Sequence, residues 1–315
     1  MKKILLFSFT LLLCLGCGNN TQNDDQRKGP RQGMHNQLNK DDDTAFVALK
    51  EAVLPAFKQF TYQDKQSGKS MEYNLFIPEG WENANYPLVL FIADASTAGK
   101  EVTAPLTQGY GALLFASARD QEKHPSFVLV PQFSETAVQD DWSHTDEVDM
   151  TIRLLNEVVE KYHIDSKCLY TTGQSMGSMI SFYFNITYPE VFAASLFVGS
   201  QWDTSKMNNF GNKHFFYIVA GGDKKASGGM RDLATVLSEN QARIDSASWS
   251  AKLSSEEQDR LASQLIARGG NVNFIRFEAG SVLPEDGRGM EHMASFDYAY
   301  KLAPVRDWLF EQSKK

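Results

Sequence analysis

The sequence predicts an α/β fold in which helices cover both faces of a mostly parallel sheet. Three observations predict it. Short apolar runs at residues 87–93, 126–130, 194–198 and 215–220 read as strands buried on both faces, since a strand wetted on one side would alternate apolar with polar. Helical stretches separate these runs, and parallel strands need such crossovers. The third observation is the stretch CLYTTGQSMGSMIS from Cys168 to Ser181, which reads as strand, glycine-flanked turn and then helix to about Tyr188.

In chain order, Met1, Lys2 and Lys3 precede an apolar run over 4–13, the pattern of a secretory signal too short to span a bilayer permanently. Leu15-Gly16-Cys17 resembles a bacterial lipobox, with Cys14 where that pattern usually has leucine. The expectation is a leader over 1–16, lipidation at Cys17, a cell-envelope location and membrane contact through that anchor only. Residues 17–44 are polar and nearly free of large apolar side chains, so they are expected to form a flexible tether to a domain over 45–315. Within the domain the pattern gives a short helix over 45–60 and strands at 60–63 and 72–77 around Gln66-Ser67-Gly68-Lys69. A helix over 111–119 follows. The clearest helix spans 146–162, where Val148, Ile152, Leu155, Val159 and Tyr162 make one apolar stripe and Thr145 is a candidate N-cap. Helices at about 230–243, 254–267 and 303–311 and a weaker strand at 274–277 complete the pattern. Residues 237–271 read as an insertion covering part of a cleft. Cys168 is expected to be a small buried strand residue without a disulfide partner.

With 315 residues and 42% hydrophobic content, the chain can bury one large α/β core or two modest ones. Its formal charge of −8 and the lack of a basic run interleaved with aromatics argue against a nucleic-acid partner. Cysteine pairs, closely spaced histidines and EF-hand spacing are absent, so neither a metal nor a cofactor is expected. Oligomeric state is not legible.

The chemistry lies in Gly173-Gln174-Ser175-Met176-Gly177. A turn this tight lifts the Ser175 hydroxyl clear of the sheet edge, and the N–H of Met176 opens a helix aimed at developing negative charge. Such a hydroxyl needs a base and a carboxylate to fix the tautomer of that base. In this architecture the chain order is serine, acid, histidine. Only His214 and His292 follow Ser175, and only His292 falls between the last strand and the last helix, in an expected loop. Asp223, after the strand 215–220 in a glycine-rich turn, is the favoured acid, and Asp203 is the alternative.

From about Phe60 to the end, the chain resembles secreted serine esterases related to polyhydroxybutyrate depolymerases and feruloyl esterases, within the α/β-hydrolase superfamily. The matching residues are Tyr86-Pro87-Leu88-Val89-Leu90-Phe91, Trp142, Lys161-Tyr162-His163-Ile164-Asp165 and the run from Tyr170 to Gly177. Tyr188-Pro189-Glu190-Val191-Phe192-Ala193-Ala194 and Asp307-Trp308-Leu309-Phe310 also match. The resemblance implies Ser175 as nucleophile, Asp223 as acid, His292 as base, the Met176 N–H as one oxyanion donor, and a cleft lined by Trp142 with Gln174. Relatives usually carry His-Gly where this chain has Ala93-Asp94, in the loop that supplies the second oxyanion N–H. A carboxylate turned toward the oxyanion would oppose it, and a lost donor costs about 3–4 kcal/mol of barrier. The expected activity is cleavage of small-molecule or polymer esters. Two other readings stay open: a serine peptidase using the same three residues, and a catalytically weak surface binding protein on a hydrolase scaffold.

Overall fold

The computed structural model describes Lys40 and residues 42–315. The expected leader, the lipidation site Cys17 and most of the tether therefore lie outside the described residues. Strands run at β1 (Phe57–Gln63), β2 (Ser70–Phe76), β3 (Leu88–Ile92), β4 (Phe127–Pro131), β5 (Leu169–Gln174), β6 (Ala194–Val198), β7 (Phe215–Ala220), β8 (Asp245–Trp249) and β9 (Val272–Phe277). Before β5 the helices are α1 (Thr44–Val53), α2 (Ala104–Thr107), α3 (Gly111–Phe115), α4 (Ala118–Lys123) and α5 (Asp146–Lys161). After it come α6 (Met176–Thr187), α7 (Lys224–Glu239), α8 (Ser255–Ile266), α9 (Glu291–Lys301) and α10 (Ala303–Phe310). Among the described residues these strands form one nine-stranded sheet in the order β1-β2-β4-β3-β5-β6-β7-β9-β8. Only the pairs β1–β2 and β2–β4 are antiparallel.

The period of two along each strand sorts side chains into two cores. Leu88, Leu90 and Ile92 join the layer of α5, α6 and α7, whereas Val89 and Phe91 join the layer of α3, α9 and α10. β7 divides likewise, with Phe215, Tyr217 and Val219 on one face and Phe216, Ile218 and Ala220 on the other. A fully buried side chain of this size contributes about 1.5–3 kcal/mol, so a register slip in either strand would forfeit packing on both faces. No described helix is long and apolar enough to cross a membrane.

Several elements differ from the sequence reading, each for a local reason. The helix expected over 111–119 is two helices. The N–H of Ala116 closes α3 onto the carbonyls of Leu113 and Leu114, and Ser117 caps α4 through its hydroxyl. The break lets Asp120 meet Arg306, whose Nε donates to it at 2.7 Å in the buried core. Helix α7 begins at Lys224 rather than near 230. Gly228 and Gly229 weaken its propensity, yet a Cβ at Gly229 would stand 2.3 Å from that of Gln201, so the glycine permits close packing. Strand β8 is polar, with only Asp245 and Trp249 buried, and its apolar content is too low to signal a strand. Residues 237–271 extend the sheet edge through β8, while α8 packs against α10. Thr145 holds the extended N-cap conformation of α5, but its hydroxyl makes no capping bond. Cys168 lies one residue before β5 and is only half-buried.

The turn between β1 and β2 is tied to α5 through a buried carboxylate. Arg153 donates from Nε to Asp64 Oδ1 at 2.8 Å and from Nη2 to Oδ2 at 2.7 Å, while Ser67 and Tyr62 supply further donors. The arginine contact, opposed by burial, holds the Asp64 carboxyl well below the usual carboxylate range. A depressed folded-state value stabilises the fold above the unfolded value of about 3.9, and that stabilisation is lost as pH falls toward the folded value. Arg153→Leu is therefore expected to cost about 3 kcal/mol at pH 7 in urea unfolding. The gap from the parent should narrow below about pH 4, and a gap independent of pH would contradict this account.

Candidate active site

The chain leaves β3 toward β4 on one side and leaves β5 toward β6 on the other. Connections diverging from adjacent parallel strands open a crevice at their C-terminal ends. Ser175 stands there, at the junction of β5 and α6, with φ 51° and ψ −119°. A non-glycine residue in this region costs about 1–3 kcal/mol, so surrounding packing must hold it. Its N–H donates to the Val198 carbonyl at 3.0 Å, and its carbonyl accepts from Met179 at 3.0 Å. The flanking glycines serve close approach. A Cβ at Gly177 would stand 2.0 Å from the Ile92 carbonyl oxygen, and one at Gly173 would stand 2.4 Å from the Gly177 carbonyl carbon. The N–H of Met176, at the first position of α6, has no intrahelical acceptor.

Three of the residues predicted from sequence meet. His292 Nε2 lies 2.9 Å from Ser175 Oγ, and His292 Nδ1 lies 2.6 Å from Asp223 Oδ2. His292 is not in a loop as expected; it is the second residue of α9. Asp223 also caps α7, its Oδ1 accepting from the N–H groups of Lys225 and Ala226. Burial opposes ionisation of Asp223. The His292 ring and these two N–H groups outweigh it and hold the carboxyl below its ordinary value. The alternative acid Asp203 instead caps a short turn through Ser205 and makes no contact with His292. His124 bonds Asp307, and His144 packs on Tyr183.

Asp94 is buried, and its carboxylate is engaged on both oxygens. Oδ1 accepts from the Ser96 N–H at 2.8 Å, and Oδ2 accepts from Gln174 Nε2 at 3.0 Å. Gln174, which precedes Ser175, thereby ties the end of β5 to the loop after β3. Gln174 and Asp94 also border a small polar hollow shared with Gln108, Lys40, Asp297 and Met293. Lys40 Nζ pairs with Asp297 at 2.7 Å there and donates to the Gln108 carbonyl at 2.8 Å. Trp142 occupies a hairpin closed by the bridge between Val138 and His144, with φ 69°. Its ring lies 5.3 Å from that of Trp202, which follows β6, and Asp140 on the same hairpin pairs with Lys225. Trp202 was not singled out from sequence; its place two residues beyond Gly199-Ser200, after an apolar strand, was the available signal. No group of three or more His, Cys, Asp or Glu among the described residues is arranged to hold a metal ion.

This architecture is the α/β-hydrolase fold. The chain is similar to a thermostable esterase, with TM-score 0.69 and 24% identity over 84% of this chain and 64% of that one, so it spans less than two thirds of that esterase. A ferulic acid esterase aligns at TM-score 0.51 and 10% identity over 81% of this chain and 98% of its own. A feruloyl esterase module from Clostridium thermocellum, solved with sinapinate, aligns at TM-score 0.52 and 12% identity over 79% and 88%. No protein-family model matches the chain, and no curated protein matches it in sequence.

Gly177→Ala drives a methyl group into two backbone carbonyls that cannot rotate away. It should destabilise the protein by at least about 2 kcal/mol, read from the thermal or urea midpoint. A parental midpoint would show that the junction of β3, β5 and α6 is looser than described.

Proposed function

We propose that the protein is a serine hydrolase that cleaves carboxylic esters through an acyl-enzyme on Ser175. The observation that carries this reading is the imidazole of His292 placed between the Ser175 hydroxyl and the Asp223 carboxylate, at 2.9 and 2.6 Å. Asp223 holds the proton on Nδ1, which leaves Nε2 free to accept. As Ser175 Oγ bonds to the ester carbonyl carbon, its proton passes to Nε2, and the carbonyl electron pair moves onto oxygen. When that pair returns, the bond to the leaving alkoxide breaks and His292 gives the alkoxide its proton. Water repeats the sequence on the acyl-enzyme, releasing the acid and restoring the serine hydroxyl.

In this reading the oxyanion is met by the N–H of Met176 and the backbone N–H of Asp94. The close contact of Gly177 with Ile92 supports it, because that contact sets the end of β3 against the start of α6. The Asp94 carboxylate would be hostile to an oxyanion if it faced one. Its bonds to Ser96 and Gln174 supply it with other partners. That engagement favours an active hydrolase over a scaffold retained only for binding. Trp142, beside Trp202, and Gln174 would line the cleft, giving an aromatic wall and a polar one.

A fluorophosphonate probe should label Ser175 in the parent and not in Ser175→Ala. Turnover in a panel of acetyl, feruloyl and longer acyl esters should fall at least about 10³-fold in His292→Ala and about 10⁴-fold in Asp223→Asn. Folded parent protein that neither labels nor turns over any ester would overturn the proposal, and faster cleavage of peptides than of esters would reassign it as a peptidase.

We also propose that Cys17 carries a lipid and that the following tether holds the domain off the envelope membrane. The charged and apolar leader pattern ending at Leu15-Gly16-Cys17 motivates this. In a bacterial host, Cys17→Ser should move the protein from the membrane fraction to the soluble fraction and abolish incorporation of labelled palmitate. Parent protein that takes up no palmitate would refute it.

A further inference from the structure

Asp223 and His292 sit on segments that the core constrains differently. Asp223 directly follows β7 and is fixed by capping α7. His292 is reached from β9 only after the irregular stretch 278–290, in which Gly280, Gly287 and Gly289 all have positive φ. No side chain caps the start of α9. The helix bearing His292 thus needs some other tie to the acid loop.

Glu291 supplies one. It precedes His292, and both of its carboxylate oxygens are engaged by backbone donors outside its own helix. Oε2 accepts from the N–H of Gly222 at 2.9 Å, and Oε1 accepts from the N–H of Gly280 at 2.9 Å. Gly222 immediately precedes Asp223, and Gly280 lies in the turn that follows β9. One carboxylate therefore joins the acid loop, the end of β9 and the residue next to His292, and hydrogen bonds to an ionised group are among the stronger ones. A side chain at position 222 would displace the Glu291 carboxylate. A Cβ would fall 1.8 Å from Glu291 Oε1 and 2.2 Å from the carboxyl carbon. The glycine and the glutamate are matched to each other.

We propose that Glu291 is a positioning residue for the proton relay: it clamps the backbone on either side of the Asp223–His292 contact and so keeps the imidazole aimed at Ser175. This rests on the reading of Ser175 as nucleophile. The hydrogen bonds of Glu291 go to backbone and not to the side chains of Ser175, Asp223 or His292, so its removal should act on turnover and not on substrate binding.

The test is Glu291→Gln, with Glu291→Asp as a second variant. The amide keeps one acceptor but turns an NH₂ toward a backbone N–H. The shorter acid cannot reach Gly222 and Gly280 together. Each variant should fold, with kcat down about 10- to 100-fold, the scale expected for a misplaced catalytic group, and KM within about twofold of the parent. The parent should show a low-field proton resonance from the Nδ1–H of His292, and in the variants it should shift or broaden. Fluorophosphonate labelling of Ser175 should slow in proportion to kcat. Parent protein that does not label overturns the nucleophile reading, and this proposal with it. Labelling parent with variants of unchanged kcat and unchanged resonance overturns this proposal alone. Variants that melt earlier but keep kcat, or that fail to fold at all, would assign Glu291 to the fold and not to the relay, and equally overturn it.

Discussion

A backbone contact governs this structure: the start of α6 is pressed against the end of β3 so closely that residue 177 has no room for a side chain. Two things depend on that approach. The strain at Ser175 persists because neither end of the turn can relax. The residues after β3 are fixed beside the first N–H of α6. The same junction borders the crevice at the C-terminal ends of β3 and β5, where the connections leave on opposite sides. A looser junction would leave the serine hydroxyl in a more comfortable conformation and out of line with the imidazole.

The same junction explains why a central strand carries hydroxyl groups. Thr171 and Thr172 are fully buried in β5, where apolar residues would be the simpler choice. Each is satisfied. Thr171 Oγ1 pairs with Ser181 on α6 at 3.0 Å, and Thr172 Oγ1 bonds the Leu196 carbonyl at 2.9 Å and Tyr300 on α9 at 3.1 Å. A buried hydroxyl left unpaired would cost about 1–3 kcal/mol, so these bonds reward one alignment of the helices over its neighbours. Since α9 carries His292, the Thr172–Tyr300 bond ties the far end of that helix to β5, while Glu291 ties its near end to Gly222 and Gly280.

Much of this was legible because its signals are local. Buried strands announce themselves as unbroken apolar runs, and β3, β4, β6 and β7 were placed within a residue or two. The glycines around Ser175 single it out, chain order selects Asp223 and His292, and the structure brings these three side chains within hydrogen-bond distance. The misses share a cause. Strand β8 exists because β9 offers an edge, not because Asp-Ser-Ala-Ser-Trp prefers extension. Helix α9 starts at Glu291 through contacts with Gly222 and Gly280, which lie 69 and 11 residues away in sequence. The orientation of the Asp94 carboxylate depends on Gln174, 80 residues on. Neither composition nor periodicity carries partners at such separations.

Asp223 shows how a structural reading and a chemical one can both hold for one residue. An aspartate after a strand and before a helix is an ordinary cap, and Oδ1 performs that task with two N–H groups of α7. The cap leaves Oδ2 pointing at His292 and adds donors that favour the ionised form despite burial. The helix therefore aims the carboxylate at the imidazole and helps keep it charged. A glutamate would carry the carboxylate one methylene farther from its own backbone and could not keep both contacts in the same geometry. Capping and orienting are thus one constraint here, and it ties the start of α7 to the His292 ring and, through that ring, to the Ser175 hydroxyl.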